Sequence, residues 1–399
     1  MPGRRWIILA ALFAARAAIG FQFQSIGSAA NLLMADLGIG YSEVGMLLGA
    51  YMLPGVVVAF PAGMLGSRGR EKMLGLIGLM LMAVSGLALS YSGDLAFALV
   101  ARIIGGVGGT VVGLVATKMV ADWFEDSEIV LAMSLLQMSW PFGAMVALPI
   151  QTWIAHSLGW HAVMASGAVF SVAALFAFAM IPRAAQPIQA EAAGRGRLAR
   201  AALLPVVISG IIWGAMNLAG VLFFTYAPPL LVAQGSSPTV AASLTSLAIW
   251  FIILAIPAGG YLVQRADRPL TAIIACSLIG AAALLLFVVD FHPTMSCLIF
   301  GLSIGPMSGA ILSMPARVLE PADRSVGFGL FYTCFYVVMA AGPLVAGRLQ
   351  DAFGSPSAAL VAGAALLASM VPLVALFWSV LKRREIAQGS HEAKLRAVS

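Results

Sequence analysis

Charged residues are scarce in this chain of 399 residues. Asp, Glu, Lys and Arg together make up only 10% of it, whereas 61% of the residues are hydrophobic. Soluble domains carry about 25% charged residues, so this composition excludes a water-soluble globular protein. Long continuous apolar stretches take the place of the missing charges. These stretches lack the alternation of apolar and polar residues that a membrane β-barrel needs, so they predict transmembrane helices.

Cysteine and histidine are also rare, with three and four residues. Cys276, Cys297 and Cys334 all fall inside apolar stretches, which favours small core residues over a disulfide framework or a metal site. An enzyme embedded in a membrane needs groupings such as paired Asp or clustered His, and the predicted spans lack them. We therefore expect no enzyme activity, no catalytic residue, no metal site and no cofactor.

Twelve apolar stretches are each long enough for a transmembrane helix of about 20 residues, and six lie on each side of a polar segment rich in Pro, Gly and Arg. The predicted fold class is all-α: a polytopic membrane protein with twelve transmembrane helices in two pseudo-symmetric six-helix bundles. The predicted spans are 6–31, 43–66, 73–92, 95–120, 129–154, 160–181, 203–230, 239–263, 270–289, 294–318, 326–347 and 357–381. The predicted units are an N-terminal bundle (1–181), a cytoplasmic linker (182–200), a C-terminal bundle (201–381) and a cytoplasmic tail (382–399).

The distribution of Lys and Arg predicts the orientation in the membrane, because cytoplasmic loops retain these residues. With both termini in the cytoplasm, all but three of the 22 Lys and Arg lie on the cytoplasmic side, the exceptions being Arg16, Arg102 and Arg348. We expect a multi-pass protein of the inner membrane, and we attribute the net charge of +6 to topology rather than to nucleic-acid binding. The first 17 residues also resemble a signal peptide, but its cleavage would leave eleven spans.

The tripeptide Pro-Ala-Gly occurs at 61–63 and again at 257–259, and arginines follow both copies. The copies are 196 residues apart, close to half the chain length, and each ends the second predicted helix of its half. With this repeat, the chain resembles the major facilitator superfamily, whose members consist of two six-helix halves. The resemblance covers the whole chain and implies a transporter that works by alternating access.

The loop after the second predicted helix carries a motif of that family. The matching residues are Gly63, Ser67, Arg68, Arg70 and Lys72, which resemble Gly-x-Leu-Ala-Asp-Arg-x-Gly-Arg-Arg/Lys. Ser67 stands where the family has Asp, and one residue of the motif is missing. The resemblance implies a cytoplasmic gate, with Arg265 and Arg268 in the corresponding loop of the second half.

Because the Asp of this motif is absent, we expect the basic residues to pair instead with acids of the next cytoplasmic loop. These acids are Asp122, Glu125, Asp126 and Glu128, and a solvated loop is the alternative interpretation. In the fourth predicted span, Arg102 and the glycine-rich run that includes Gly106 are similar to the family's Arg-x-x-x-Gly-x-Gly pattern. Two roles stay open for Arg102: a clasp between helices and a direct part in transport.

Acidic residues are missing from the middle of every predicted span, yet Arg16 lies there. Counting about 1.5 Å per residue from Trp6 places Arg16 about 15 Å deep, at the centre of a hydrocarbon core of about 30 Å. An arginine at that depth costs roughly 2.5–3.5 kcal/mol even on the mildest scale. A guanidinium suits carboxylates and similar anions, so we predict that Arg16 binds an anionic substrate. A clasp to backbone carbonyls or to Gln137 is the alternative.

Other polar and aromatic side chains at mid-span depth complete the predicted site. The predicted substrate-binding residues are Arg16, Gln22, Gln24, Gln137, Trp140, Trp213, Asn217, Tyr332 and Tyr336. Apolar walls with a few convergent polar groups are typical of small-molecule sites. For any single Trp or Tyr, helix packing is the alternative role.

We therefore predict a secondary active or facilitative transporter of a small monovalent anion, acting as a monomer in the lipid bilayer. A finer resemblance, carried by Arg16 and the stretch 20–25, links the chain to the cyanate and nitroimidazole-type branch of the family. Efflux of lipophilic compounds is the alternative within the same architecture, but cationic substrates favour a buried carboxylate. A membrane-embedded sensor or enzyme is the alternative of another class.

Overall fold

The computed structural model describes residues 2–64, 71–124, 126–181, 200–266, 268–319 and 324–398. These residues form thirteen α-helices, a short 3-10 turn at Pro315–Arg317 and no β-strand, which confirms the all-α prediction. The helices are α1 (Pro2–Ser28), α2 (Ala30–Leu37), α3 (Tyr41–Met64), α4 (Glu71–Ser90), α5 (Leu95–Trp123), α6 (Asp126–Leu158), α7 (Trp160–Ala179), α8 (Arg200–Ala233), α9 (Pro238–Ala266), α10 (Pro269–Val288), α11 (Pro293–Ser313), α12 (Arg324–Phe353) and α13 (Ser357–Val398).

Within the described ranges, eleven helices are long and apolar enough to cross a bilayer. Helix α6 contains the predicted fifth span and has 33 residues, enough to cross a bilayer. Large apolar side chains such as Val57, Phe176 and Met180 are exposed, as expected where lipid is the solvent. The prediction of a polytopic membrane protein is confirmed.

The predicted first span, 6–31, is interrupted in the structure. Helix α1 ends at Ser28, and the short helix α2 begins two residues later. Ala29 between them has φ −115° and ψ 11°, so the chain turns there instead of continuing the helix. Hydropathy does not report this break, because the few small or polar residues around Ala29, namely Gly27, Ser28 and Asn31, lie within a longer apolar stretch.

The helices pack in two groups that correspond to the two halves of the chain. In the first group, α1 packs on α6 and α7, and α4 packs on α5 and α7; in the second, α8 packs on α12 and α13, and α10 packs on α11 and α13. Between the groups, α3 packs on α12 and α6 packs on α9. The second membrane-spanning helix of each half thus meets the fifth helix of the other, the reciprocal arrangement expected of a pseudo-two-fold repeat.

The exact boundaries of the predicted bundles stay predictions, as does the equivalence of Pro61 and Pro257. The linker lies outside the described residues except for Arg200, where α8 begins. Helix α13 continues to Val398, so the described part of the predicted tail is helical.

Glycines allow the two groups to approach closely along the α3–α12 contact. A Cβ atom built on Gly45 would lie 2.0 Å from the carbonyl oxygen of Pro343, and one on Gly49 would lie 2.0 Å from that of Ala340. A Cβ on Gly347 would lie 2.1 Å from the Tyr41 oxygen. Small residues are the usual means of close helix packing in membranes, and here they bring the second half against the first.

Polar contacts define two ends of the helix bundle. At the Asp351 end, Asp351 contacts the start of α3, and the Trp160 indole donates a hydrogen bond of 2.9 Å to Asp36. At the Lys72 end, the Lys72 ammonium donates to the carbonyl oxygen of Ala179 at 2.7 Å. The chain therefore alternates between these ends from one membrane-spanning helix to the next.

The α1–α6 contact predicts a strong effect of a single added methyl group. A Cβ on Gly143 would lie 1.9 Å from the carbonyl oxygen of Ala17, so Gly143→Ala should force α1 and α6 apart. We expect a loss of about 1–3 kcal/mol, measured as a lower melting temperature in detergent. Gly260→Ala in α9 is the control, because no atom lies within 4 Å of its added Cβ. Equal melting temperatures for the two variants would contradict this packing.

Candidate substrate site

Arg16 lies on α1 between the two halves, opposite two tyrosines of α12. The side chains of Tyr332 and Tyr336 are close enough to the Arg16 guanidinium to interact with it electrostatically. Arg16 is only partly buried, yet its Nη1 atom is inaccessible and has no hydrogen-bond partner among the described residues. Nor does any described residue accept a hydrogen bond from the other nitrogens of this side chain. The guanidinium therefore presents unused donors at the interface between the halves.

Tyr336 reaches from α12 toward the first half. Its ring packs over Gly55 of α3, where an added Cβ would lie 2.3 Å from the ring carbon Cδ1. Its hydroxyl lies near the side chain of Thr110 on α5. Tyr336 thus belongs to the second half but packs on the first, and its position depends on the missing side chain at Gly55.

Further predicted residues lie on the C-terminal side of this interface. The ring of Trp213 on α8 lies 6.4 Å from the rings of both Phe331 and Phe335 on α12. Asn217 lies one turn further along α8, and its amide nitrogen donates a bond of 2.8 Å to the Trp213 carbonyl. Both Trp213 and Asn217 remain partly exposed, so these side chains keep a free surface beside α12.

Gln137 and Trp140 lie on α6 and are also partly exposed. The Trp140 ring lies 5.7 Å from the ring of Phe23 on α1. Close approach of α6 and α1 depends on Gly20, because an added Cβ there would lie 2.1 Å from the Trp140 carbonyl oxygen. The roles of Gln137 and Trp140 in substrate binding stay predictions.

Arg102 and Gln22 are engaged with the protein itself. The Arg102 guanidinium donates to the carbonyl oxygens of Leu47 at 3.0 Å and Gln22 at 3.2 Å, and its carbon Cζ lies 4.4 Å from the centre of the Tyr51 ring. The Gln22 amide donates to Met82 at 2.7 Å and accepts from the Tyr51 hydroxyl at 3.2 Å. Arg102 is 1% exposed, so it joins α5 to α1 and α3 inside the first half.

Gly106 supports the same cluster. A Cβ atom there would lie 2.1 Å from the Tyr51 carbonyl oxygen, so α5 can approach α3 only because this residue is glycine. Of the two roles left open for Arg102, the clasp between helices is the one that its contacts support.

Gln24 makes a contact between the halves. Its side chain is 2% exposed, and its amide nitrogen donates a hydrogen bond of 3.2 Å to the carbonyl oxygen of Phe224 on α8. Substrate binding by Gln22 and Gln24 stays a prediction, but both amides already have partners within the protein.

Several of the predicted gating residues lie outside the described part. Ser67, Arg68, Arg70 and Glu125 are outside it, and Gly63 and Asp122 lie near the ends of α3 and α5. Lys72 donates to the carbonyl oxygens of Ala179 and Ile181, where α7 ends. Lys118 on α5 forms an ion pair with Glu71 on α4. Arg265 and Arg268 are exposed at the same end, and the pairing predicted for this gate stays untested.

Tyr51 and Thr110 are two polar residues of this region that we did not predict. Tyr51 is fully buried between Arg102 and Gln22, and it interacts electrostatically with Tyr336. Both residues are polar and lie near the middle of apolar spans, so the criterion that selected the other site residues also applies to them. Thr110 follows two glycines, which marks a helix face where a neighbour approaches closely.

These features define a class: a multi-pass membrane transporter with polar groups buried between two helical halves. The chain belongs to the Major Facilitator Superfamily, whose family model matches residues 12–343 and 227–398. It is therefore a transporter and not an enzyme.

Two relatives illustrate this membership. The hexuronate transporter of Escherichia coli (strain K12) is 24% identical over 98% of this chain and 98% of its own length. The solved structure of the proton:xylose symporter XylE, bound to 6-bromo-6-deoxy-D-glucose, aligns with a TM-score of 0.73 at 16% identity, covering 95% of this chain and 96% of that one. The second likeness shows the fold alone.

The Arg102 clasp predicts that a positive charge alone cannot replace the guanidinium. In Arg102→Lys, one ammonium cannot reach the carbonyls on α1 and α3 together or stack on Tyr51. We expect a loss of about 1–3 kcal/mol, measured as a lower melting temperature in detergent. Arg348→Lys, at an exposed position on α12, should leave the melting temperature unchanged. A stable Arg102→Lys protein would contradict the clasp.

Proposed function

We propose that this protein transports a small monovalent anion across the inner membrane by alternating access, with Arg16 as the group that recognises the negative charge. The observation that carries the proposal is the buried Nη1 atom of Arg16, which has no hydrogen-bond partner among the described residues. Tyr332 and Tyr336 lie beside it on the opposite half. A substrate bound there contacts both halves, as alternating access requires.

The charge balance favours an anion over a cation. Every described Asp and Glu lies in a loop, in the tail or near the end of a helix, so no acidic side chain of the described residues neutralises Arg16 at mid-depth. A buried cation without a counter-ion is costly, and a carboxylate substrate would supply both the charge and two acceptor atoms. The single guanidinium at this site favours one negative charge over two.

The remaining groups favour an organic anion with hydroxyl groups. Tyr332 and Tyr336 offer phenolic hydroxyls, Asn217 and Gln137 offer amides, and Trp213 offers an aromatic face. This mixture can hold a polar ring and its hydroxyls. The similarity to a hexuronate transporter supports a sugar acid as the substrate class.

We propose that the Lys72 end faces the cytoplasm and the Asp351 end faces outward, with both termini inside, because Lys and Arg concentrate in the loops of the Lys72 end. The functional unit is a monomer, and its halves are residues 1–181 and 201–381. Each half contributes residues to the one candidate site, so a single chain is sufficient for transport.

Substitution of Arg16 tests the recognition of the anion. Arg16→Lys should retain membrane insertion but bind glucuronate more weakly, because the planar fork is lost. Arg16→Ala should abolish binding while the melting temperature stays equal or rises, because it removes a charge that no described acidic residue neutralises. Binding is measured by the ligand-induced rise in melting temperature of the purified protein.

Arg348→Ala is the matched control for this experiment, since it removes an exposed arginine from α12 and should bind glucuronate like the native protein. Normal binding by Arg16→Ala would overturn the proposal. A general loss of folding in both Arg16 variants would assign Arg16 a structural role instead.

The position of the acidic residues predicts how transport is driven. Proton-coupled carriers bury a titratable group in the pathway, whereas the acidic residues that the structure describes lie in loops, in the tail or near helix ends. We therefore expect facilitated transport or exchange, with an uptake rate into proteoliposomes that is independent of an imposed pH gradient. Uphill accumulation driven by that gradient would show instead that the substrate or a histidine near the outer rim carries a proton.

A further inference from the structure

Near the Asp351 end, a hydrogen bond joins the two halves. Its acceptor is a backbone carbonyl oxygen of α8 that has no donor within α8. Within α8 the carbonyl oxygen of Phe224 would accept from residue 228, but that residue is proline and has no N–H. The Gln24 amide of α1 donates to this oxygen at 3.2 Å. Pro228 therefore creates an acceptor on the second half that a side chain of the first half satisfies.

A second polar contact joins the halves at the same end. The Asp351 carboxylate, in the last turn of α12, accepts hydrogen bonds from the backbone nitrogens of Tyr41 at 2.9 Å and Ser42 at 2.8 Å, and from the Ser42 hydroxyl. These nitrogens are the first of α3 and have no partner within their own helix. A carboxylate at a helix N-terminus is also favoured by the helix dipole.

Other groups at this end oppose the closed arrangement. Tyr226 is 0% exposed and its ring lies 6.1 Å from that of Tyr41, but its hydroxyl has no hydrogen-bond partner among the described residues. Gln350, next to Asp351, is also fully buried, and neither polar atom of its amide has a described partner. Burial of unsatisfied polar groups is unfavourable, so opening this end to water relieves a cost.

We propose that Gln24 and Asp351 form a latch that holds the Asp351 end of the transporter closed, and that the buried Tyr226 hydroxyl opposes it. The latch rests on the alternating-access part of the proposed function but not on the identity of the substrate. It gives Gln24 a role in the conformational equilibrium, because its amide is already used in a bond between the halves. The closed end is then only moderately favoured, as a carrier that must reopen requires.

The test measures how often the Asp351 end opens. A reporter cysteine, Asn217→Cys, is placed on the partly exposed face of α8 in a background where Cys276, Cys297 and Cys334 are replaced by alanine. Sealed right-side-out vesicles are treated with a membrane-impermeant maleimide, and the labelling rate is measured without substrate. Tyr91→Cys, in the exposed turn between α4 and α5, reports whether the Asp351 end faces the reagent.

Gln24→Leu and Asp351→Asn should each raise the labelling rate of the reporter by about 2- to 10-fold, the range for loss of one net hydrogen bond. Tyr226→Phe should lower the labelling rate by about fivefold or more. Without the hydroxyl, the closed state no longer buries an unsatisfied polar group and is therefore more stable. General destabilisation would raise the labelling rate in every variant. A rise in some variants and a fall in another at the same end therefore indicates a specific latch.

Two matched controls isolate the latch. Gln151→Leu removes an equivalent bond of 3.0 Å from a glutamine amide to the Phe21 carbonyl, but within one half, so it should not change the labelling rate. Tyr261→Phe alters an exposed tyrosine on α9 and should also have no effect. The latch is wrong if Gln24→Leu and Asp351→Asn both match Gln151→Leu, or if Tyr226→Phe raises the rate. These outcomes are independent of whether any anion binds Arg16.

Discussion

A guanidinium in the middle of a membrane bundle must find hydrogen-bond acceptors there, because lipid supplies none. This chain contains two such groups in different surroundings. Arg102 donates to two backbone carbonyls and stacks on the ring of Tyr51, and only its Nη2 atom has no hydrogen-bond partner among the described residues. Arg16 bonds to no described residue and faces the other half. The first arginine therefore stabilises one half, and the second is suited to a ligand between the halves.

Close packing of the helices makes this division of roles possible. Glycine at position 106 brings α5 near enough to α3 for Arg102 to reach Leu47, and glycine at position 55 leaves space for the Tyr336 ring. Along α3 and α12, glycines on both helices bring the backbones of the two halves into contact. The small residues that form the bundle thus also determine which polar groups are enclosed and which remain available at the interface.

The helical architecture was predictable from the sequence because apolar length determines a membrane helix almost alone. The place of Arg16 near the middle of α1 also followed from its position in the first apolar stretch. The hydrogen-bond partners of the other polar residues could not be predicted from the sequence, because they depend on which helix faces meet. The bonds from Gln24 to Phe224 and from Gln22 to Met82 join residues far apart in the chain. The break at Ala29 was equally hard to predict, since Gly27 and Ser28 beside it are also common inside membrane helices.

The central claim is that one positive charge at the interface of the halves selects the substrate. The most direct test compares the binding of three related compounds to the native protein by isothermal titration calorimetry: the monoanion glucuronate, the neutral sugar glucose and the dianion glucarate. One unpaired guanidinium predicts that glucuronate binds at least about tenfold more tightly than either of the others, a difference of about 1.4 kcal/mol. Equal or tighter binding of glucose would contradict the claim, because a neutral ligand gains nothing from the charge of Arg16.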